Sequence, residues 1–216
     1  MSLILDLLFP RLCLGCGQKG GYFCTSCLNK QFTNSPVCTT KNPLIEGHFS
    51  LYKYNDLIKK IITEIKYGFV TDIIDSFTDT SASIIKTNFS HLLTYWQKNN
   101  FVLVPIPLHY YRQNWRGFNQ SVLIGKLLAQ KLNLKYSDQL LIRSKNTHVQ
   151  AKIHSKLAKR SNLNGAFSCI DPLLIPSNII LFDDVSTTFS TLNSAFQTLS
   201  KDGSPFHCWF LTLSGK

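Results

Sequence analysis

The sequence predicts an α/β fold, a parallel sheet flanked by helices, with a small cysteine-rich module at its N-terminus. Three observations carry that expectation. Short, wholly apolar runs such as Ile179-Ile180-Leu181-Phe182 read as strands buried on both faces. They alternate with segments in which apolar residues recur at helical spacing. Finally, five of the seven cysteines fall within the first 38 residues.

The cysteines come first in the chain. Cys13 and Cys16 form one CxxC pair, and Cys24 and Cys27 form a second. Two such knuckles can offer four thiolates to one tetrahedral Zn²⁺. Gly15 and Gly17 suit the tight turns that knuckles require. Disulfides are the rival reading, but nothing in the sequence indicates secretion, and a reducing cytosol disfavours them. Four protein thiolates close the coordination sphere, so the expected metal is structural. Cys38 has no partner at CxxC spacing, while Cys169 and Cys208 lie in apolar runs and read as strand residues.

Residues 34–47, with Pro36, Pro43 and Gly47, read as a polar linker, which places a zinc module and linker at 1–47 and a larger domain at 48–216. A strand is expected at 49–54. A helix follows from Asn55 with Leu57, Ile58, Ile61, Ile62 and Ile65 on one face, ended by Gly68. Residues 72–97 read as a longer helical region, and 101–106 as a buried strand stopped by Pro105 and Pro107. A helix is expected at 117–132, with Val122, Leu123, Leu127 and Leu128 on one side. Residues 151–160 form a basic helical candidate and 166–170 a strand. The strand at 179–182, a helix at 191–199 and a strand at 207–213 complete the order.

The chain has 216 residues and a formal net charge of +11. Its apolar content of 44% excludes disorder as the main state. No stretch approaches the roughly 20 apolar residues that span a bilayer, so no membrane insertion is expected, and residues 3–9 make a poor signal peptide. A cytosolic (cytoplasmic) protein is the expectation. Thirteen of the 23 Lys and Arg lie between residues 80 and 170, against one acid, Asp138. Such asymmetry fits an anionic partner, either a polyphosphate or a nucleic acid, and equally a solvated basic surface.

Residues 179–191 carry the chemistry. An apolar strand delivers Asp183 and Asp184 at its C-terminal end, and the hydroxyl-rich loop Thr187, Thr188, Ser190, Thr191 opens into a helix. The C-terminal edge of a parallel sheet is where open α/β folds bind ligands, and a helix N-terminus offers free amides to phosphate. Paired acids suit the vicinal hydroxyls of a ribose, or water-mediated contact with Mg²⁺.

This stretch resembles the phosphoribosyl-pyrophosphate (PRPP) motif of type I phosphoribosyltransferases. Val104-Pro105-Ile106-Pro107-Leu108-His109, Arg112, and Arg116-Gly117-Phe118-Asn119-Gln120 resemble the ComF family signature. Thr147-His148-Val149-Gln150, Asn162-Leu163-Asn164-Gly165-Ala166-Phe167 and Leu5-Asp6-Leu7-Leu8-Phe9-Pro10 match further blocks of that family in order. The resemblance implies a type I phosphoribosyltransferase-like domain joined to the zinc module, in proteins associated with natural transformation and the handling of imported single-stranded DNA.

By resemblance, Asp183 and Asp184 contact the ribose. Thr187, Thr188, Phe189, Ser190 and Thr191 form the 5-phosphate cradle. The loop at Pro105, with Arg112 and Arg116, holds pyrophosphate together with Mg²⁺. Displacement of pyrophosphate through a cationic ribosyl centre needs no side-chain nucleophile, only positioning and electrostatics. Phe189 stands where the family carries glycine, and a side chain there is expected to crowd the cradle. Only Cys38 remains of the family's further CxxC pairs, and the interval from Gln150 to Phe167 is one residue longer than usual.

The alternative is a catalytically inactive protein that keeps the fold to bind single-stranded DNA. Lys152, Lys156, Lys159 and Arg160 can share one helix face, and Tyr110, Tyr111, Trp115 and Phe118 interleave with Arg112 and Arg116 as stacking rings do in single-strand binders. A competence helicase is the protein partner that the resemblance implies. A plain purine-salvage transferase fits less well, since the cysteine knuckles and the block at 116–120 have no place in it.

Overall fold

In a computed structural model of the chain, residues 11–33, 42–67, 71–144, 165–186, 188–202 and 206–215 are described. In chain order they form α1 (Thr25–Asn29), β1 (Ile45–Lys53), α2 (Asp56–Tyr67), α3 (Thr71–Asn88) and α4 (Ser90–Lys98). There follow β2 (Val102–Pro105), α5 (Tyr110–Arg116), α6 (Gln120–Leu132), β3 (Lys135–Tyr136), β4 (Leu141–Arg143) and β5 (Phe167–Cys169). The last elements are β6 (Asn178–Ser186), α7 (Ser190–Asp202) and β7 (His207–Gly215).

Five strands make one parallel sheet in the order β1-β7-β6-β2-β3. The inner strands β6 and β7 carry the continuous apolar runs, because both of their faces are covered. On one face Ile180, Phe182, Trp209 and Leu211 pack against α2, α3, α4 and α6. On the other, Ile179, Leu181, Cys208 and Phe210 pack against Leu192, Ala195, Phe196 and Leu199 of α7 and against the antiparallel pair β4–β5. Gly125 lets α6 lie close to the sheet: a Cβ there would sit 3.1 Å from Phe182 and 3.2 Å from Leu103. That approach brings the N-terminus of α6 to the C-terminal ends of β2 and β6.

The cysteine module packs onto the helical face. Leu28 is fully buried in that core, Phe23 meets Phe77 edge-on at 5.7 Å, and Arg11 pairs with Asp72 at 3.1 Å. Past the module the chain runs beside β1, where the Thr33 N–H donates to Leu51 O and the Lys53 N–H to Gln31 O. An edge strand is thereby partly covered.

Several expectations are corrected. β1 starts at Ile45, inside the segment read as a linker, because buried Ile45, Gly47 and Phe49 pair with Cys208, Trp209 and Leu211 of β7, with a register shift between Ile45 and Gly47. The helical region 72–97 is two helices, broken at Phe89 (φ −129°, ψ 33°), whose ring is buried against Phe49 at 4.6 Å. The helix expected at 117–132 starts at Gln120, capped by Asn119, and Gly117, at φ 79°, ends a separate preceding helix, α5. The buried stripe of α6 is Ser121, Ile124, Gly125, Leu128, Ala129 and Leu132, while Leu123 is exposed. The basic helix candidate 151–160 lies outside the described residues.

Candidate functional site

Cys13, Cys16, Cys24 and Cys27 place their four sulfurs within 4.8 Å of one another. A Zn–S bond of about 2.3 Å in a tetrahedron separates sulfurs by about 3.8 Å, and Cys16 Sγ and Cys24 Sγ stand 3.8 Å apart. The Cys24 N–H donates to Cys13 Sγ at 3.3 Å, and the Cys27 N–H to Cys24 Sγ at 3.4 Å. Burial pushes the Cys13 thiol up, but backbone N–H groups of Cys16, Gly15 and Cys24 outweigh it and bring it down to about 6. Hydrogen bonding to Cys24 and Cys16 drives Cys27 up to about 12. Four thiolates this close need a cation to ionise together, so the donor set fits a structural zinc.

Asp183 and Asp184 lie within β6 and not in the loop after it: Asp183 stands in register with Thr212 of β7. The two residues alternate along the strand, yet both side chains reach the first turn of α6. Asp184 shares the face of Ile180 and Phe182, where Lys66 Nζ lies 2.6 Å from its Oδ2 and Gln120 Nε2 donates to the same oxygen at 3.2 Å. Asp183 shares the face of Ile179 and Leu181. Its Oδ1 accepts from Ser121 Oγ at 3.1 Å and from the Asp184 N–H at 2.9 Å. Burial, and then the charge of Asp184, push the Asp183 carboxyl up to about 7, against the pull of Lys66.

The cationic half comes from the segment after β2. Buried Pro105 pairs with Phe182, and the Ile106 N–H donates to Phe182 O, so the loop leaves the sheet one strand away from the acids. His109 caps α5, accepting the Tyr111 N–H, and Asn119 Nδ2 donates to Ile106 O, tying the loop to α6. Arg112 and Arg116 therefore stand on a helix. Arg116 Nη1 donates to Gln120 Oε1 at 3.3 Å and Nη2 to Tyr67 OH at 3.2 Å, and its guanidinium lies 5.2 Å from the Tyr67 ring centre. Burial and the charge of Arg116 push Arg112 down from its ordinary value.

Several participants had no part in the sequence reading. Lys66 and Tyr67 are consecutive at the end of α2, yet one reaches Asp184 and the other Arg116. Gln120 joins the two halves, although it was visible only as part of a family block. Arg143 of β4 lies over Phe167 at 5.3 Å; burial and the charge of Arg112 push it down, opposed by Asp183. Its only signal was membership of the basic segment.

The loop after β6 leads into the 13-residue α7, which begins at Ser190 with Thr191 in its first turn. Thr188 Oγ1 and Ser190 Oγ are 2.9 Å apart. Phe189 holds the left-handed backbone (φ 52°) open to glycine, its N–H donating to Ser186 Oγ at 2.8 Å. Its ring lies on His48 at 4.6 Å and Phe210 at 6.2 Å, with the core on the α7 side of the sheet. Thr187 lies outside the described residues, as do Lys152, Lys156, Lys159 and Arg160. Tyr110, Tyr111 and Trp115 are 54%, 58% and 72% exposed, whereas Phe118 packs against the core. Among the described residues no helix is long and apolar enough to cross a membrane.

A double zinc ribbon domain matches residues 4–44. The chain is 30% identical to competence protein ComFC of Bacillus subtilis, over 92% of this chain and 82% of that protein. It is 36% identical to competence protein F of Haemophilus influenzae over 47% of this chain and 44% of that one. DNA utilization protein YhgH of Salmonella typhi is 27% identical over 89% of this chain and 79% of its own.

Proposed function

The chain belongs to the ComF family, and from that premise we propose that it binds Mg²⁺–PRPP at the C-terminal edge of its sheet and serves DNA uptake. The relatives are named for competence and DNA utilisation, which supports the second half. The first half rests on one observation above all: Asp184 of the acid pair and Arg116 belong to one connected network. Lys66 meets Asp184, Gln120 bridges Asp184 to Arg116, and Arg116 returns to Tyr67 beside Lys66.

In this reading the acids accept the ribose hydroxyls, and Thr187, Thr188, Ser190 and Thr191, with the amides opening α7, take the 5-phosphate. Arg112 and Arg116 neutralise pyrophosphate at the loop after Pro105, with Mg²⁺ arriving on the pyrophosphate and supplying charge neutralisation there. Phe189 is compatible with the cradle, because its ring lies on His48 and Phe210. Residues 1–47 serve as the zinc module and linker, the last three of them already opening β1, and 48–216 as the ligand-binding body. Calorimetric titration with PRPP and Mg²⁺ tests the site. Binding that the pair Asp183→Ala plus Asp184→Ala abolishes is expected, and unaltered affinity in that variant sinks it.

A second reading, single-stranded DNA binding on the same edge, is favoured by the exposure of Tyr110, Tyr111 and Trp115 beside Arg112 and Arg116. Exposed rings next to cations suit base stacking with backbone neutralisation. One basic face can serve both ligands. The protein partner implied by family membership is a competence helicase, and the implied compartment is the cytoplasm.

A further inference from the structure

The two adjacent carboxylates of β6 differ in what they have left to offer. Both oxygens of Asp184 are engaged: Oδ1 accepts the Val185 N–H at 2.7 Å, while Oδ2 takes Lys66 at 2.6 Å and Gln120 at 3.2 Å. Its side chain is 8% exposed and that of Lys66 20%. Asp183 uses only Oδ1, toward Ser121 and the Asp184 N–H; among the described residues its Oδ2 has no hydrogen-bond partner.

We propose that Lys66 is a resident counter-ion that holds Asp184 as the anchor of Gln120 and Arg116, leaving Asp183 alone to receive the ribose hydroxyls. The assignment rests on the PRPP reading and refines it. A ligand hydroxyl could reach Asp184 Oδ2 only by displacing Lys66 or Gln120, and Oδ1 is tied to the Val185 N–H in a side chain 8% exposed. Displacing Lys66 leaves an uncompensated charge in a buried place, which is costly. Asp183 requires no such exchange. Lys66 thus acts as a positioning residue, working through Asp184 and Gln120.

The test is calorimetry on the full chain with three probes: Mg²⁺–PRPP, ribose 5-phosphate and inorganic pyrophosphate. Lys66→Met is expected to lose about tenfold in affinity for Mg²⁺–PRPP and pyrophosphate and to hold ribose 5-phosphate within about twofold, because the unpaired Asp184 disturbs Gln120 and Arg116 while Asp183 keeps its place. Lys66→Met combined with Asp184→Asn is expected to recover to within about threefold of the parent, since no unpaired charge remains and the Asn carbonyl still accepts from Gln120. Asp183→Asn is expected to lose about tenfold for the ribose-bearing probes alone.

The double variant also keeps the test open should Lys66→Met alone fail to fold, since it removes both charges. Equal loss of ribose 5-phosphate binding in Lys66→Met, or no recovery in the double variant, places Lys66 on the ligand and overturns the counter-ion role. Parent-like binding by Lys66→Met overturns it too, and leaves the PRPP reading standing. A parent protein that binds neither PRPP nor ribose 5-phosphate removes that reading and this assignment together.

Discussion

Phe189 and His48 pack ring on ring, centroids 4.6 Å apart, while the Phe189 backbone holds φ 52°. The left-handed conformation costs a non-glycine residue about 1–2 kcal/mol, and the ring offsets that by burial against His48 and Phe210. Phe189→Gly relieves the backbone but loses the ring; Phe189→Ala loses the ring and keeps the strain. Both are expected to be less stable than the parent, with the alanine variant lower than the glycine variant by about 1 kcal/mol. Urea denaturation of the three proteins measures the order.

Asp183 makes stability depend on pH in a defined direction. Its folded carboxyl, at about 7, lies above the ordinary value of 3.8, so the folded state holds the extra proton in between. Stability is therefore greatest below about pH 4 for this group and is lost as pH rises through about 7. Melting temperatures of the parent, compared with Asp183→Asn, should fall across that window and then run parallel. By the same titration, affinity for ribose 5-phosphate should rise through pH 7, because the carboxylate accepts hydrogen bonds that the acid does not.

Zinc loss should be felt beyond the module. Leu28, and Phe23 on Phe77, belong to the core of the sheet's helical face. Elemental analysis is expected to find about one zinc per chain, lost in Cys24→Ser plus Cys27→Ser. That variant should also melt at a lower temperature throughout, not in the module alone. A melting temperature equal to the parent's would mean that the two parts fold independently.

If DNA lies on α5, Trp115→Ala should weaken single-strand binding by about 1–3 kcal/mol per lost stacking contact, with little effect on PRPP, as the ring is 72% exposed. Removing the charges of Lys152, Lys156 and Lys159 should reduce the slope of log affinity against log salt. Filter binding over a salt series separates the two effects.

Much of this molecule was legible in the chain. The CxxC spacing identified the metal-ligating quartet, because knuckle geometry is local. The apolar runs at β2, β6 and β7 identified a buried parallel sheet, because a strand covered on both faces has no polar positions. Local signals failed where a distant partner decided the outcome. Phe89 breaks a helical stretch because its ring meets Phe49, 40 positions earlier. Likewise, Ile45 joins a strand because β7 lies beside it.

The candidate site divides the same way. Asp183 and Asp184 could be chosen as candidates from residue type and order, since a strand ending in acids is a pattern along the chain, whereas Arg112 and Arg116 were candidates through the family resemblance. Which acid is left open, and which is taken, depended on Lys66, 118 positions before Asp184. One residue's shift along β6 also gives the neighbouring carboxylates different company, Ser121 for Asp183 and Lys66 with Gln120 for Asp184. A linear sequence carries residue types and short-range geometry. Pairing between charges on separate elements exists only once the sheet and α2 have packed together.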